Sequence, residues 1–127
     1  MNMDEQTLNQ LSHQVIGCAL TVASTLGTGF SEKVYENSLV HELRKAGFAV
    51  AQQRGIDVWY DGVVAGDYTI DLLVNAALLV ELKVVKALDD GHRAQCLNYL
   101  KATGGRLCLL LNFGPPRLEI RRVVMGL

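Results

Sequence analysis

The sequence predicts an α/β (α+β) fold, with a central sheet that contains an antiparallel meander, helices on its flanks and an extra helix at the N-terminus. Three observations predict it: two segments with helical periodicity come first, short β-like runs follow, and a further helical segment precedes the last two runs. No linker or repeat interrupts the 127 residues, which suffice to bury a core. We therefore expect a single domain over residues 1–127.

Apolar residues recur three or four positions apart from Asp4 to Leu26, which predicts a first helix capped by Asp4 and ended by Gly27. A second helix is predicted over residues 30–46, because Gly47 stands where a left-handed cap is common. Two helices therefore precede the first strand.

Short β-like runs dominate the rest of the chain. Asp61 and Gly62 form a strong two-residue hairpin signal between two of these runs. A third helix is predicted over residues 92–102, after the break at Asp89-Asp90-Gly91. The predicted strands cover residues 48–53, 56–60, 63–74, 78–85, 106–113 and 118–124.

Composition limits the classes of function. The chain has 12 Lys and Arg against 13 Asp and Glu, so a nucleic acid would have to bind a local patch rather than a globally basic surface. Three widely spaced cysteines without a CxxC pair argue against a disulfide framework or a zinc site and favour a reducing cytoplasm. The apolar runs are far shorter than the roughly 20 residues of a membrane span, so we expect no membrane association.

Two carboxylates face each other in the hairpin around residues 75–77. Pairing Val74 with Leu78 places Asp71 directly opposite Glu81, with Lys83 about 6 to 7 Å further along the same face. Like charges placed opposite each other destabilise a sheet, so this face needs a compensating cation. The other face is entirely apolar and is expected to be buried: Ile70, Leu72, Val74, Leu78, Val80, Leu82 and Val84.

A third carboxylate, Glu32, has an unexpected position on the second helix. At about 100° per residue, Glu32 shares a stripe with Tyr35, Glu36 and Leu39 and is expected to point inward. A buried carboxylate is costly unless it is neutralised, paired or bound to metal. Because oxygen ligands suit Mg²⁺ or Mn²⁺ better than zinc, we infer a divalent-cation site formed by Glu32, Asp71 and Glu81.

Three motifs occur in order along the chain. Residues 29–35 read GFSEKVY, Asp71 is followed by Glu81-Leu82-Lys83, and residues 95–99 read QCLNY. With these motifs the chain resembles the GxxExxY protein family, a branch of the PD-(D/E)xK nuclease-like superfamily. The resemblance covers nearly the whole chain.

The resemblance implies a restriction-endonuclease-like core with a mixed sheet. It also implies that Asp71 and Glu81 hold Mg²⁺ or Mn²⁺ beside a scissile phosphate, while Lys83 orients or activates the attacking water. Glu32 resembles the first-helix acid that completes the ligand set in many members. Three further side chains are expected to line the cleft and position the substrate: Gln95, Tyr99 and Tyr35.

Each assignment has a simpler alternative. In the simpler alternative for the hairpin, the sheet face is solvated and carries a cross-strand ion pair formed by Asp71, Glu81 and Lys83. In the simpler alternative for Glu32, its negative charge only stabilises the start of the second helix by interacting with the helix dipole. The tyrosines are then core aromatics with one hydroxyl partner each.

The leading hypothesis is a small cytoplasmic metal-dependent nuclease, an endo- or exonuclease, with nucleic acid as substrate and DNA expected. The alternative is a catalytically silent nuclease-fold module that binds nucleic acid or a protein partner, which the near-neutral charge favours. A third possibility is a domain that works only as a homo-oligomer or beside a partner. The basic residues concentrate late in the chain: Lys101, Arg106, Arg117, Arg121 and Arg122.

Overall fold

The structure of the protein is a computed structural model, and it describes residues 3–126. None of the helices in this part of the chain has both the length and the apolar character needed to cross a membrane. The described elements follow the predicted order: α1 (Glu5–Leu26), α2 (Glu32–Lys45), β1 (Val50–Tyr60), β2 (Val63–Val74), β3 (Leu78–Lys83), α3 (Asp90–Thr103), β4 (Leu107–Asn112) and β5 (Glu119–Val124).

The strands form one sheet in the order β1-β2-β3-β4-β5. β1, β2 and β3 are an antiparallel meander, β3 and β4 are parallel, and β4 and β5 are antiparallel. A parallel connection requires a crossover, which α3 provides. The prediction of a mixed sheet with an antiparallel meander is therefore confirmed.

Apolar side chains cover both faces of the sheet. α1 and α2 pack on one face, where Leu39 and Leu43 of α2 meet Leu82 and Leu109 of the sheet. α3 packs on the opposite face, where its Leu100 joins a second cluster with residues such as Leu79. The central strands β3 and β4 are buried along nearly their whole length, which is typical of parallel strands covered by helices on both faces.

Local capping explains where the helices begin. Asp4 caps α1 as predicted, because its Oδ1 accepts a hydrogen bond from the Thr7 N–H at 2.7 Å. α3 begins before the predicted boundary because Asp89 and His92 cap each other. The Asp89 carboxylate accepts from the His92 N–H, and His92 Nδ1 accepts from the Asp89 N–H, each at 3.0 Å.

β1 is one continuous strand, whereas the sequence pattern predicted two runs over residues 48–53 and 56–60. The ladder with β2 continues through Arg54 and Gly55, which pair with Ile70 and Thr69. Gln53, directly before the predicted gap at residues 54–55, has a φ of 54°, in the left-handed region. The strand nevertheless continues through this residue.

Ile70 and Leu72 of β2 pack on opposite faces of the sheet. No pair joins Gln53 to Asp71 across the ladder, although residues on both sides of them pair. Leu72 packs on the α1–α2 side of the sheet, whereas Ile70 packs with Leu79 on the α3 side. The prediction that Ile70 shares a face with Leu72 is wrong, because strict alternation fails at this irregular position.

Candidate active site

β2 and β3 separate at the predicted carboxylate pair. Their ladder includes only three residue pairs and ends at Leu72–Val80. Beyond that point, the Asp71 N–H donates to Glu81 Oε1 at 2.8 Å, and the Leu82 N–H donates to Asp71 Oδ2 at 2.9 Å. Each carboxylate thus takes the place of a backbone carbonyl of the opposite strand, which fixes both side chains at the split.

Each carboxylate retains a second oxygen that faces away from these backbone bonds. Asp71 Oδ1 accepts only a long hydrogen bond from Gln53 Nε2, at 3.3 Å. Glu81 is only 3% exposed, yet no buried side-chain oxygen in residues 3–126 lacks a hydrogen-bond partner. Among the described residues, Oε2 of Glu81 accepts no hydrogen bond, so it is not fully enclosed. Each carboxylate of the pair therefore retains one oxygen atom that accepts no backbone N–H.

The environment opposes negative charge at both carboxylates. Burial, followed by the charge of Asp71, raises the pKa of Glu81 to about 9, and the hydrogen bond from the Asp71 N–H offsets only part of this rise. Burial also raises the pKa of Asp71, against the hydrogen bond from the Leu82 N–H. Two adjacent acids with raised pKa values mark a site that lacks positive charge.

Lys83 is the cation nearest to the pair along β3, but it does not neutralise the pair. It is half-buried, and its charge lowers the pKa values of Asp71 and Glu81 as a minor influence. Within residues 3–126 its ammonium lies within 4.0 Å of no carboxylate. Asp71 and Lys83 are half-buried and Glu81 is buried, so the simpler alternative of a solvated sheet face is excluded.

Glu36 is a buried carboxylate that the sequence analysis did not include in the site. It is 2% exposed and accepts hydrogen bonds from Lys33 Nζ at 2.8 Å, from Gln53 Nε2 at 2.9 Å and from Gln52 Nε2. Burial raises the pKa of Glu36, but these hydrogen bonds together lower it below its usual value. Since Gln53 also donates to Asp71, it links Glu36 to the carboxylate pair.

Glu32 lies at the exposed start of α2, so the prediction that it points into the core is wrong. The buried stripe of α2 begins only at Tyr35, three residues after Glu32. Burial and the charge of Asp71 nevertheless raise the pKa of Glu32, while Lys83 lowers it. Glu32 is therefore a rim residue near the pair, and its role as a ligand stays a prediction.

Tyr99 and Gln95 both lie on α3, on the other side of the pair. Tyr99 is 4% exposed, and its ring packs edge-on against Tyr68 with 5.3 Å between the ring centroids. Burial, followed by the charges of Glu81 and Asp71, raises the pKa of Tyr99. Gln95 is half-buried one turn earlier on α3. Their predicted role in positioning the substrate stays a prediction.

Tyr35 has contacts that are typical of a core aromatic residue. It is fully buried and stacks on Phe113 with 4.8 Å between the ring centroids. Its hydroxyl donates to the Gly27 carbonyl at 2.6 Å and accepts from the Phe30 N–H at 3.3 Å. These bonds hold the loop between α1 and α2, and they support the structural alternative for Tyr35.

The donor set at the split fits a hard divalent cation. Among the described residues, no group of three His, Cys, Asp or Glu side chains is arranged to hold a metal ion. Mg²⁺ does not require such a group, because proteins usually bind it through one or two carboxylates, with waters and substrate phosphates completing the shell. Asp71 and Glu81 supply two carboxylates, and their raised pKa values show that a cation there would relieve unfavourable charge.

Two solved structures are similar to this chain. The crystal structure of SSO0001 is similar in fold, with a TM-score of 0.58 at 16% identity, covering 75% of this chain and 50% of that chain, so the chain spans half the length of SSO0001. The alkaline exonuclease LHK-Exo from Laribacter hongkongensis matches with a TM-score of 0.40 at 14% identity, over 85% of this chain and 76% of that one. Among curated proteins, none matches this sequence.

The family assignment comes from the sequence and agrees with the fold. The mixed sheet flanked by helices is a restriction-endonuclease-like fold. The narrower assignment to the GxxExxY proteins stays a prediction. A sequence model described as the PD-(D/E)XK nuclease superfamily matches residues 9–123. The chain therefore belongs to the PD-(D/E)XK nuclease superfamily.

Proposed function

We propose that this protein is a metal-dependent nuclease that hydrolyses phosphodiester bonds of nucleic acid. The observation that carries the proposal is the split between β2 and β3. There, Asp71 and Glu81 are fixed by hydrogen bonds to opposite strands, and each retains an oxygen atom that accepts no backbone N–H. Membership of a nuclease superfamily supports hydrolysis as the reaction.

Each residue of the candidate site would have a distinct role in hydrolysis. Asp71 and Glu81 hold Mg²⁺ or Mn²⁺, a cation that supplies Lewis acidity toward the scissile phosphate and toward water. Lys83 would orient the attacking water through its ammonium, which lies within 4.0 Å of no carboxylate of residues 3–126. Glu32 adds negative charge at the rim, and Gln53 holds Asp71 in its rotamer through the hydrogen bond to Oδ1.

Nucleic acid is the proposed substrate, with DNA expected from the family resemblance. Contacts within the chain already occupy part of the predicted basic concentration. Arg122 donates to the Asn9 side chain, Arg121 pairs with Glu119 at 3.3 Å, and Arg106 donates to backbone carbonyls. Substrate binding would therefore rely on residues other than these three arginines.

The test is cleavage of labelled DNA and RNA by the full chain with Mg²⁺ or Mn²⁺. Asp71→Asn, Glu81→Gln and Lys83→Met are each expected to lower the rate by about 100-fold or more, as the loss of a positioned catalytic group does. Glu5→Gln and Lys86→Met are the matched controls, because both residues are exposed. Cleavage that survives Glu81→Gln would contradict the proposal.

A catalytically silent module is the second candidate, and the formal net charge of −1 favours it. Calorimetry separates the two. The nuclease proposal expects Mn²⁺ binding that Glu81→Gln abolishes, whereas the silent module expects nucleic-acid binding without metal binding. A reducing, cytoplasmic location is proposed on the basis of the three free thiols, and sedimentation velocity tests the possible homo-oligomer.

A further inference from the structure

The outer part of the β1–β2 hairpin exposes large apolar side chains. Monomeric proteins rarely expose contiguous apolar surface without a binding role. The most exposed residue is Tyr60, at 73%, and Trp59, at 64%, is next to it. Three more large side chains on this hairpin are also exposed: Val63, Val64 and Tyr68.

A pocket lies between this hairpin and α3. Its volume is about 370 Å³, within the range of roughly 300–1,000 Å³ that is usual for small-ligand sites. The hairpin supplies the rings of Trp59 and Tyr68, and α3 supplies the Lys101 ammonium and the Asn98 amide. We call this the hairpin pocket. The described lining is completed by Val58 and Ala102 and includes no acid.

Two tyrosine rings lie between the hairpin pocket and the candidate active site. The Tyr68 ring, which lines the pocket, contacts the Tyr99 ring at an interplanar angle of 61°. Tyr99 in turn lies close enough to Glu81 and Asp71 for their charges to raise its pKa. The pocket is therefore near enough to the carboxylate pair for one strand to reach both.

Charge around the hairpin limits the kind of ligand that the pocket can take. Residues 54–68 carry three aspartates and one arginine, and two of the aspartates, Asp57 and Asp67, are direct partners in the ladder. This charge opposes a second copy of the same hairpin and a polyanion that follows the hairpin along its length. It permits a neutral aromatic group with one phosphate near Lys101.

We propose that the hairpin pocket binds one unpaired nucleotide of a nucleic-acid strand, with its base stacked on Trp59 and Tyr68 and its phosphate beside Lys101. The Asn98 amide offers both a donor and an acceptor to the edge of the base. The inference that this strand is the substrate rests on the proposed nuclease function. The protein would accordingly prefer single-stranded or frayed nucleic acid over a closed duplex.

Trp59 is the only tryptophan of the chain, so its fluorescence reports directly on the pocket. A short oligothymidine and a duplex of equal length are titrated into the full chain in chelator, where cleavage cannot occur. The single strand should quench Trp59 emission, and the duplex should not. Tyr68→Ala should weaken binding by about 10-fold, the scale of one lost stacking partner. Lys101→Gln should reduce the slope of log K against log salt by about 0.7.

Tyr60→Ala is the matched control, because Tyr60 is an exposed aromatic residue of the same hairpin that does not line the pocket. It should leave quenching unchanged. Absence of quenching, or equal quenching by the duplex, overturns the proposal. So does an emission change that follows protein concentration without oligonucleotide, which would assign the surface to a second copy. Trp59→Ala, tested with a labelled oligothymidine by anisotropy, gives an independent readout.

The two proposals fail in different ways. Quenching without metal-dependent cleavage would retain the pocket and refute the nuclease. Cleavage that Glu81→Gln abolishes, without quenching in the chelated protein, would retain the nuclease and refute the pocket.

Discussion

The two halves of β2 differ sharply in how much apolar surface they bury. In the inner half, Leu72 and Val74 are fully buried, whereas Val64 in the outer half is 49% exposed. The inner half pairs with both β1 and β3, and the outer half pairs with β1 alone. Both halves are rich in β-forming residues, so β-propensity does not cause the difference in burial. The cause is that β3 pairs only with the inner half.

The candidate active site lies at the boundary between these halves. Where β3 leaves β2, backbone N–H groups at Asp71 and Leu82 lose their ladder partners, and a buried N–H needs an acceptor. The Asp71 and Glu81 carboxylates provide those acceptors. The split therefore fixes both carboxylate side chains at the candidate active site.

The largest expected effect is a difference in the free energy of unfolding between substitutions in the inner and outer halves of β2. Leu72→Ala should lower the free energy of unfolding by about 2–5 kcal/mol, because it removes a buried side chain and leaves a cavity. Val64→Ala should change it by less than about 0.5 kcal/mol, since the side chain is largely exposed. Urea unfolding followed by circular dichroism measures both. Equal losses in the two variants would mean that the outer half contributes to the core.

A smaller effect is expected at the boundary, from Glu81→Gln in chelated buffer. The pKa of Glu81 is raised from 4.5 to about 9, so folding takes up a proton between these pH values and the stability of the wild type falls as pH rises through that window. Glutamine does not titrate, and its amide oxygen can still accept from the Asp71 N–H. The variant should be more stable at neutral pH by about 1–3 kcal/mol.

The measurement is urea unfolding of both proteins at several pH values between 4.5 and 9. The advantage of Glu81→Gln should grow as pH rises. Two curves that stay parallel would show that Glu81 does not titrate with a raised pKa. Added Mg²⁺ should stabilise the wild type and leave the variant unchanged, because the variant has lost one of the two proposed ligands.

The sequence predicted the carboxylate pair, at the boundary between the two halves of β2, better than it predicted the residues around that pair. Two-residue alternation and the turn after Val74 were enough to place Asp71 opposite Glu81. The same logic failed for Ile70, because strict alternation does not hold between Ile70 and Leu72 in β2, and the residue types there do not indicate the departure. Only the folded backbone shows such a position.

The second helix shows another limit of prediction from sequence. Its stripe correctly predicted that Tyr35, Glu36 and Leu39 are buried. A helical stripe does not show where burial along the helix begins, however, and Glu32 is exposed. The buried acid was therefore Glu36, one turn later on the same stripe. Gln52 and Gln53, which bond to it, had no sequence signal because the pairing involves side chains distant along the chain.

The smallest expected effect compares the turns at the two ends of β2. The outer turn uses Asp61 and Gly62, a pair suited to positive φ, with values of 50° and 78°. The inner turn places Ala76 at a φ of 54°, which strains an alanine by about 1 kcal/mol.

Ala76 is exposed, so Ala76→Gly loses little burial and should stabilise the protein by about 0.5–1 kcal/mol. Ala94→Gly, the same change on the exposed face of α3, should destabilise it by about 1 kcal/mol. Thermal unfolding of the two variants should therefore shift in opposite directions, and a shift in the same direction would show that the Ala76 backbone is not strained.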